Sequence, residues 1–141
     1  MRRRLNERGS AVAVEAAVLI PALVLFVGLV VLMARVALAA QAVSAAAVQA
    51  ARAASLERNV TDARSAARST AVGALEDADL ECGDESVQVD AAGVQAPLGQ
   101  PSTVAVTITC TVPGELSFPG FPSSRTIVAT RQSPVDTYRG R

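Results

Sequence analysis

The chain has 141 residues, half of them hydrophobic but only 3% aromatic, with no Trp and no His. This composition limits it to one modest domain, with a thin core built from Ala and Val. Thirteen basic and thirteen acidic residues cancel, which argues against nucleic acid as a partner, since that role needs a net basic face. The absence of His removes the usual general base and metal ligand. Every basic residue is Arg, which we interpret as codon bias in a GC-rich genome that we expect to be bacterial.

One long apolar segment dominates the N-terminal part of the chain. Residues 11–34 read AVAVEAAVLIPALVLFVGLVVLMA, with Glu15 as their only charge. About twenty apolar residues cross a hydrocarbon core of about 30 Å. Four arginines lie in residues 2–8, so the positive-inside bias places the N-terminus in the cytoplasm and everything after Arg35 outside. The sequence therefore predicts a single-pass protein of the cytoplasmic membrane.

A cleavable secretory signal is the alternative interpretation of this segment. Ala37-Leu38-Ala39 has the small-x-small form of a signal peptidase site, and cleavage there would leave a chain that starts at Ala40. The apolar run is longer than the 7–15 residues typical of a signal h-region. An Ala-rich stretch also produces such matches by chance, so a membrane anchor is favoured.

The helix is predicted to continue beyond the membrane segment, as one helix over residues 11–56. Residues 35–56 contain no Gly or Pro and are mostly Ala, the best helix former. Polar Gln41, Ser44, Arg52 and Ser55 are expected on the side opposite an apolar stripe that should pack against something. The alternative is an isolated, frayed helix. The stripe recurs at steps of three and four: Val36, Ala40, Val43, Ala47, Ala50 and Ala54.

Two residues interrupt the apolar segment. Pro21 removes a backbone hydrogen bond and predicts a kink, although Pro is also tolerated in membrane helices. Glu15 places a carboxylate in hydrocarbon, which is costly unless it is paired, so it is a candidate functional residue. The alternative is that Glu15 lies close enough to the cytoplasmic headgroups to stay hydrated.

The N-terminal residues resemble those of a known family. Residues 8–25 read RGSAVAVEAAVLIPALVL and are similar to the N-terminus of TadE-like proteins, the minor pilin-like components of tight-adherence pilus systems. That family carries a basic leader, a Gly followed by a small residue, Val-Glu, and an apolar helix with an early Pro. The resemblance implies a structural or assembly role in a type IV pilus-like apparatus, with other pilin-like subunits as partners.

The resemblance also implies that a prepilin peptidase cuts the chain between Gly9 and Ser10. The basic leader, residues 1–9, would be lost, and the new amine of Ser10 could neutralise Glu15 of a neighbouring subunit. The usual pilin pattern has Glu at the fifth position after the cut, whereas Glu15 is the sixth counted from Ser10. Either the chain carries one extra residue, or the cut follows Ser10, or the leader is retained.

A small extracytoplasmic α+β domain is predicted over residues 57–131. Asn59 followed by Asp62 is typical of a helix N-cap, and a short helix is expected over 60–75. Its Arg64 and Arg68 are interpreted as a solvated surface in preference to an anion site.

Alternation of apolar and polar residues predicts a three-stranded antiparallel sheet. The expected strands are 86–90, 103–112 and 125–131, with a rigid turn at Pro119–Pro122 and a loose tail over 132–141.

Cys82 and Cys110 are the only cysteines, and in an oxidising compartment they are expected to form a disulfide. Free buried thiols or an intermolecular bridge are the alternatives. An acidic run follows the second helix, but its spacing matches no EF-hand loop, so no metal site and no cofactor is expected. Its members are Glu76, Asp77, Asp79, Glu81, Asp84 and Glu85.

No pattern in the sequence pairs a nucleophile with a base or forms a phosphate-binding Gly loop, so an enzyme is not expected. Two functional classes remain. The first is the pilus component that the resemblance implies, and the second is a generic membrane-anchored or secreted domain of the cell envelope. They differ at the N-terminus, because a generic anchor has no reason to lose residues 1–9.

Overall fold

The computed structural model describes residues 4–114 and 124–138, and for residues 4–14 it describes the backbone alone. Two compact units are present, Met1–Ala37 and Leu38–Arg141, and the second unit is called the head below. The fold is α+β, as the sequence predicts. The elements are helix α1 (Arg4–Leu56), helix α2 (Val60–Asp77), strand β1 (Asp84–Asp90), a 3₁₀ turn (Ala92–Gln95), strand β2 (Ser102–Pro113) and strand β3 (Ser124–Val135). The predicted turn at Pro119–Pro122 lies outside the described residues.

Helix α1 begins at Arg4, seven residues before the predicted start, and stays helical through Pro21. Helical backbone at Pro21 is compatible with a bend or with a straight helix, so the kink expected there stays a prediction. The helix is also continuous across the predicted end of the apolar segment at Ala34 and runs to Leu56, as expected from the lack of Gly and Pro there.

Within the head, the Ala-rich part of α1 packs into the head's own core. Val43, Ala47, Ala50 and Ala54 of the predicted stripe are fully buried. Val36 is only half-buried and Ala40 is exposed, so the buried face is rotated relative to the predicted stripe at its start. The core is thin in the sense that the composition predicts, since its largest fully buried side chains are Ile108, Val43, Val104, Val106 and Cys110.

Helix α2 has a complete cap at each end. The Asn59 side-chain oxygen accepts a hydrogen bond from the Asp62 backbone N–H at 2.8 Å, which confirms the predicted N-cap. At the other end, the Leu80 N–H donates to the Leu75 carbonyl and the Asp79 N–H donates to the Glu76 carbonyl. These two bonds form a Schellman motif. Asp79 takes the left-handed position at φ 52°, which Gly occupies in most such motifs.

The sheet is antiparallel with strand order β1-β2-β3. Central strand β2 alternates strictly, and its even-numbered residues from 104 to 110 are fully buried. Strand β3 runs to Val135, so it takes in the first four residues of the predicted tail. The expectation of a loose tail from 132 is therefore wrong for 132–135, because Ser102 and Thr103 of β2 pair with Val135 and Pro134. Residues 139–141 lie outside the described part of the chain.

Polar contacts join β3 to α1 within the head. The Arg131 guanidinium donates to the Ser44 hydroxyl at 2.7 Å, and the Ser133 hydroxyl donates to the Ser55 hydroxyl at 3.0 Å. Ser55 in turn donates to the Arg52 carbonyl. The sequence placed Ser44 and Ser55 on the side away from the packed stripe, and for Ser55 this is wrong, since it is only 6% exposed. A buried hydroxyl needs partners, and β3 supplies one.

Candidate functional site

The apolar part of α1 is exposed on all sides in the first unit. Leu25 and Phe26, near the middle of the segment, are 67% and 65% exposed. Among the described residues, one helix is long and apolar enough to cross a membrane, and the most hydrophobic window of its Glu15–Leu56 part has no buried residue. Helices that are apolar all round are stable only inside a protein core or in lipid. With no protein core around it, this segment has the properties of a membrane span.

Glu15 lies at the N-terminal end of the described apolar surface. Its side chain is exposed, and the residues one turn further along the helix, Val18 and Leu19, are exposed and apolar. No hydrogen bond or ion pair involves Glu15 within the described residues. Gly9 and Ser10 belong to the same helix, one to two turns before Glu15. The predicted cleavage point, the carboxylate and Pro21 therefore all lie on one continuous helix.

The two cysteines form an intramolecular disulfide between Cys82 and Cys110, with their Cα atoms 5.3 Å apart. The free-thiol and intermolecular alternatives are thus excluded for this pair in the described fold. Cys110 is fully buried in β2, whereas Cys82 lies in the connection from α2 to β1. The bond ties that connection to the central strand, beside a backbone hydrogen bond from Gly83 to the Thr111 carbonyl.

A half-open cleft of about 500 Å³ lies at the end of the head where α1 ends. The 3₁₀ turn holds one wall in place: the Ser102 hydroxyl donates to the Gly93 carbonyl at 2.8 Å, and a Cβ at Gly93 would collide with the Thr103 carbonyl. The cleft carries one cation and one anion and no paired nucleophile and base. Its lining residues are Arg58, Val94, Gln95, Ala96, Pro97, Leu98, Gln100, Ser102, Val135, Asp136 and Thr137.

Two groups of like charge lie on and next to α2. Arg64 and Arg68 are exposed on the outer face of its N-terminal half, as the sequence predicts, and an open groove lies over them. The acidic run begins at the last turn of the same helix with Glu76 and Asp77, and it continues into β1. Among the described residues no group of three or more acidic, His or Cys side chains could hold a metal ion.

Sequence reasoning missed the hydrogen bonds from Arg131 and Ser133 of β3 to α1, and the conformation of Asp79. In the sequence, Arg131 and Ser133 cannot be told apart from the other polar residues of an alternating strand. Their partners on α1 are about eighty residues away. The signal for Asp79 is that no Gly directly follows α2, so another residue has to take the left-handed position at the helix end.

Comparison with protein-family models, with curated proteins and with solved structures finds no match to this chain in any of the three.

Proposed function

We propose that this chain is a TadE-like, pilin-like subunit of a tight-adherence apparatus, anchored in the cytoplasmic membrane by α1 and carrying an extracytoplasmic head. The observation that carries the proposal is the use of one helix for two purposes. Residues 15–34 of α1 expose apolar side chains almost throughout, while seven Ala and Val residues between 39 and 54 are buried in the head. A helix that is shared in this way between lipid and a head suits a subunit that is inserted first and assembled later.

The N-terminal motif supports the same proposal. Gly9 and Ser10 precede the apolar segment by a distance that brings a cleaved amine to within two turns of Glu15. A carboxylate on an apolar helix surface is costly in hydrocarbon unless a cation neutralises it, and a neighbour's Ser10 amine is a suitable cation. Assembly would then neutralise a carboxylate that has no partner among the described residues of the subunit.

The outer face of α1 within the head also remains available for packing. Leu38, Val48 and Leu56 are 63%, 50% and 71% exposed, at spacings that place them on the side opposite the buried alanines.

The test is the intact mass and N-terminal sequence of the full chain extracted from membranes of its native host. A chain that begins at Ser10 or Ala11 supports prepilin-type processing, and it fixes whether Glu15 is sixth or fifth from the new terminus. A chain that begins at Met1 contradicts the processing and favours a generic anchor. A chain that begins at Ala40 contradicts the membrane anchor as well, since the segment would then be a signal peptide.

Glu15 provides a second test with a matched pair of variants. Glu15→Leu should insert into the membrane at least as well as the wild type, because a carboxylate in hydrocarbon is removed, yet it should lose incorporation into assembled pili. Glu15→Gln keeps the size and hydrogen bonding of the side chain without its charge, and should fail in the same way if the charge is what matters. Full assembly of both variants would contradict a role for Glu15 in subunit pairing.

A further inference from the structure

The outer face of α2 is an unpartnered surface on which charge is ordered along the helix. Arg64, Arg68, Val72 and Glu76 follow one another at steps of four residues, and all four are exposed. Residues four apart lie on one side of a helix, so they form a single line that is basic at one end and acidic at the other. From Arg64 to Glu76 the line is about 18 Å long at 1.5 Å per residue. We call this line with its flanking Thr61, Ser65 and Ser69 the α2 outer face.

The charges at the C-terminal end of α2 oppose the dipole of the helix. The N-terminal end of a helix carries a partial positive charge and favours acidic side chains, and the C-terminal end favours basic ones. The first turn of α2 agrees with this rule, since it holds Asp62, whereas the last turn holds Glu76 and Asp77 and no basic residue. Asp79 adds a further carboxylate immediately beyond the helix, in a backbone conformation that Gly would adopt at lower cost.

Among the residues that the structure describes, none forms an ion pair with these charged side chains. In the part of the chain that the structure describes, neither Arg64 nor Arg68 takes part in an ion pair or a side-chain hydrogen bond, and the same holds for Glu76 and Asp77. A metal ion does not explain the acids, because the described residues contain no metal-binding group of three or more of them. From residue 69 to residue 124 the sequence has no basic residue, so the acidic end of α2 has no cation nearby in sequence.

We propose that the α2 outer face binds a second copy of this chain head to tail, with Arg64 and Arg68 of one copy against Glu76 and Asp77 of the next. The same surface holds both complementary charges, so every copy can receive one neighbour and present itself to another. When the faces meet in a staggered way, so that the two ends of one copy pair with two different neighbours, the contact is heterologous, and if its rotation does not close it generates open chains of subunits. It also relieves the dipole mismatch, since each acidic helix end then faces arginines.

The charges favour a second copy of the chain as the partner of this face over an anionic ligand. The two halves of the contact have equal and opposite charge, two arginines against two carboxylates. Anchoring in one membrane raises the effective concentration of one copy for another, so even a modest contact is populated. This contact depends only on the head. The mass measurement can therefore contradict the pilus assignment without affecting it, and the experiment below can contradict the contact while the leader is still cleaved.

The experiment uses the full chain in membranes with two neutral positions replaced by cysteine. Ser65→Cys lies between the two arginines and Ala78→Cys lies beside the acids, and both positions are exposed. The native cysteines are bonded to each other, so they do not react with a short bis-maleimide cross-linker. The double variant is expected to give a ladder of dimers, trimers and larger species. Either single variant should give no product above a dimer.

Charge reversal tests the electrostatic basis of the ladder. Arg64→Glu with Arg68→Glu should abolish the ladder, and adding Glu76→Arg with Asp77→Arg in the same chain should restore it. These reversals agree with the helix dipole, so they should not unfold α2. An intact Cys82–Cys110 bond serves as the folding control, and Arg125→Glu, an exposed arginine on β3, should leave the ladder unchanged.

Three results would overturn the proposal. Absence of any cross-linked product means that the α2 outer faces do not meet. A double variant that stops at dimers means a closed, two-fold contact instead of a head-to-tail one. The third result combines three observations: reversal of the arginines abolishes the ladder, Glu76→Arg with Asp77→Arg alone leaves it unchanged, and the combined reversal does not restore it. In that case a different anion, such as a lipid headgroup, occupies the arginines.

Discussion

The two halves of helix α1 have opposite environments. Residues 15–34 are rich in Val and Leu, and their side chains are exposed almost throughout, whereas residues 38–56 are mostly Ala and bury one face completely. The difference is one of side-chain size. Large residues such as Leu25 and Phe26 fill the first half, and Ala at the buried positions of the second half allows the sheet and α2 to approach closely. One helix can therefore meet lipid with one half and a protein core with the other.

The largest expected effect is that of removing the disulfide, which should destabilise the head and leave the membrane segment unaffected. Cys82→Ala with Cys110→Ala opens a link across 28 residues and should lower the free energy of unfolding of the head by about 3–4 kcal/mol. Membrane retention should not change, because the bond lies in the head alone. Protease resistance of the head across a urea series measures the first effect, and sedimentation with membranes measures the second. Reduced wild type is the control, since it lacks the bond but keeps both sulfurs.

The next effect comes from introducing an arginine into each half of α1 and comparing membrane retention. Leu25→Arg places a charge at the middle of the apolar segment and should cost about 2.5–3.5 kcal/mol of insertion free energy. Val48→Arg makes a similar change at a residue that is also about half exposed or more, but in water it should cost little. Retention of each variant in carbonate-washed membranes is the measurement. Equal loss of retention for both, or for neither, would remove the distinction between the halves.

A larger side chain at a buried position of α1 in the head should have an effect of intermediate size. Ala50 is fully buried in the head, so Ala50→Leu should lower the free energy of unfolding of the head by about 1–3 kcal/mol. Ala22 is exposed in the apolar half, and Ala22→Leu should leave the head unchanged. Urea-dependent proteolysis of the two variants distinguishes them. An equally stable head for Ala50→Leu would show that α1 does not pack as described.

The smallest expected effects come from removing the hydrogen bonds between the second half of α1 and strand β3. Ser55→Ala removes the buried hydroxyl that bonds to Ser133 and to the Arg52 carbonyl, and should lower the free energy of unfolding by about 1 kcal/mol. Ser44→Ala removes a more exposed bond to Arg131 and should cost less. The same proteolysis assay ranks the two. A larger loss for Ser44→Ala would mean that the edge of the interface matters more than its interior.

Local sequence signals predicted most of the fold. The Asn59 cap, the alternation over residues 103–112 and the lack of helix breakers over 35–56 each act within a few residues, and each led to the observed element. The buried face of α1, the end of β3 and the Ser55 contact were predicted less well, because they depend on which residues the fold brings together from distant parts of the chain. Glu15, Gly9 and Ser10 depend on partners outside the chain, so their roles stay predictions.

The most direct test of the account is thiol accessibility along α1 and into the head in intact protoplasts or spheroplasts. Single cysteines at Asn6, Leu25 and Ser65 would be treated with a membrane-impermeant maleimide, before and after lysis. The account predicts that Ser65→Cys reacts at once, Asn6→Cys only after lysis, and Leu25→Cys in neither state until detergent is added. Rapid reaction of Leu25→Cys in intact cells, or of Asn6→Cys from outside, would contradict a membrane-spanning α1 with its N-terminus inside.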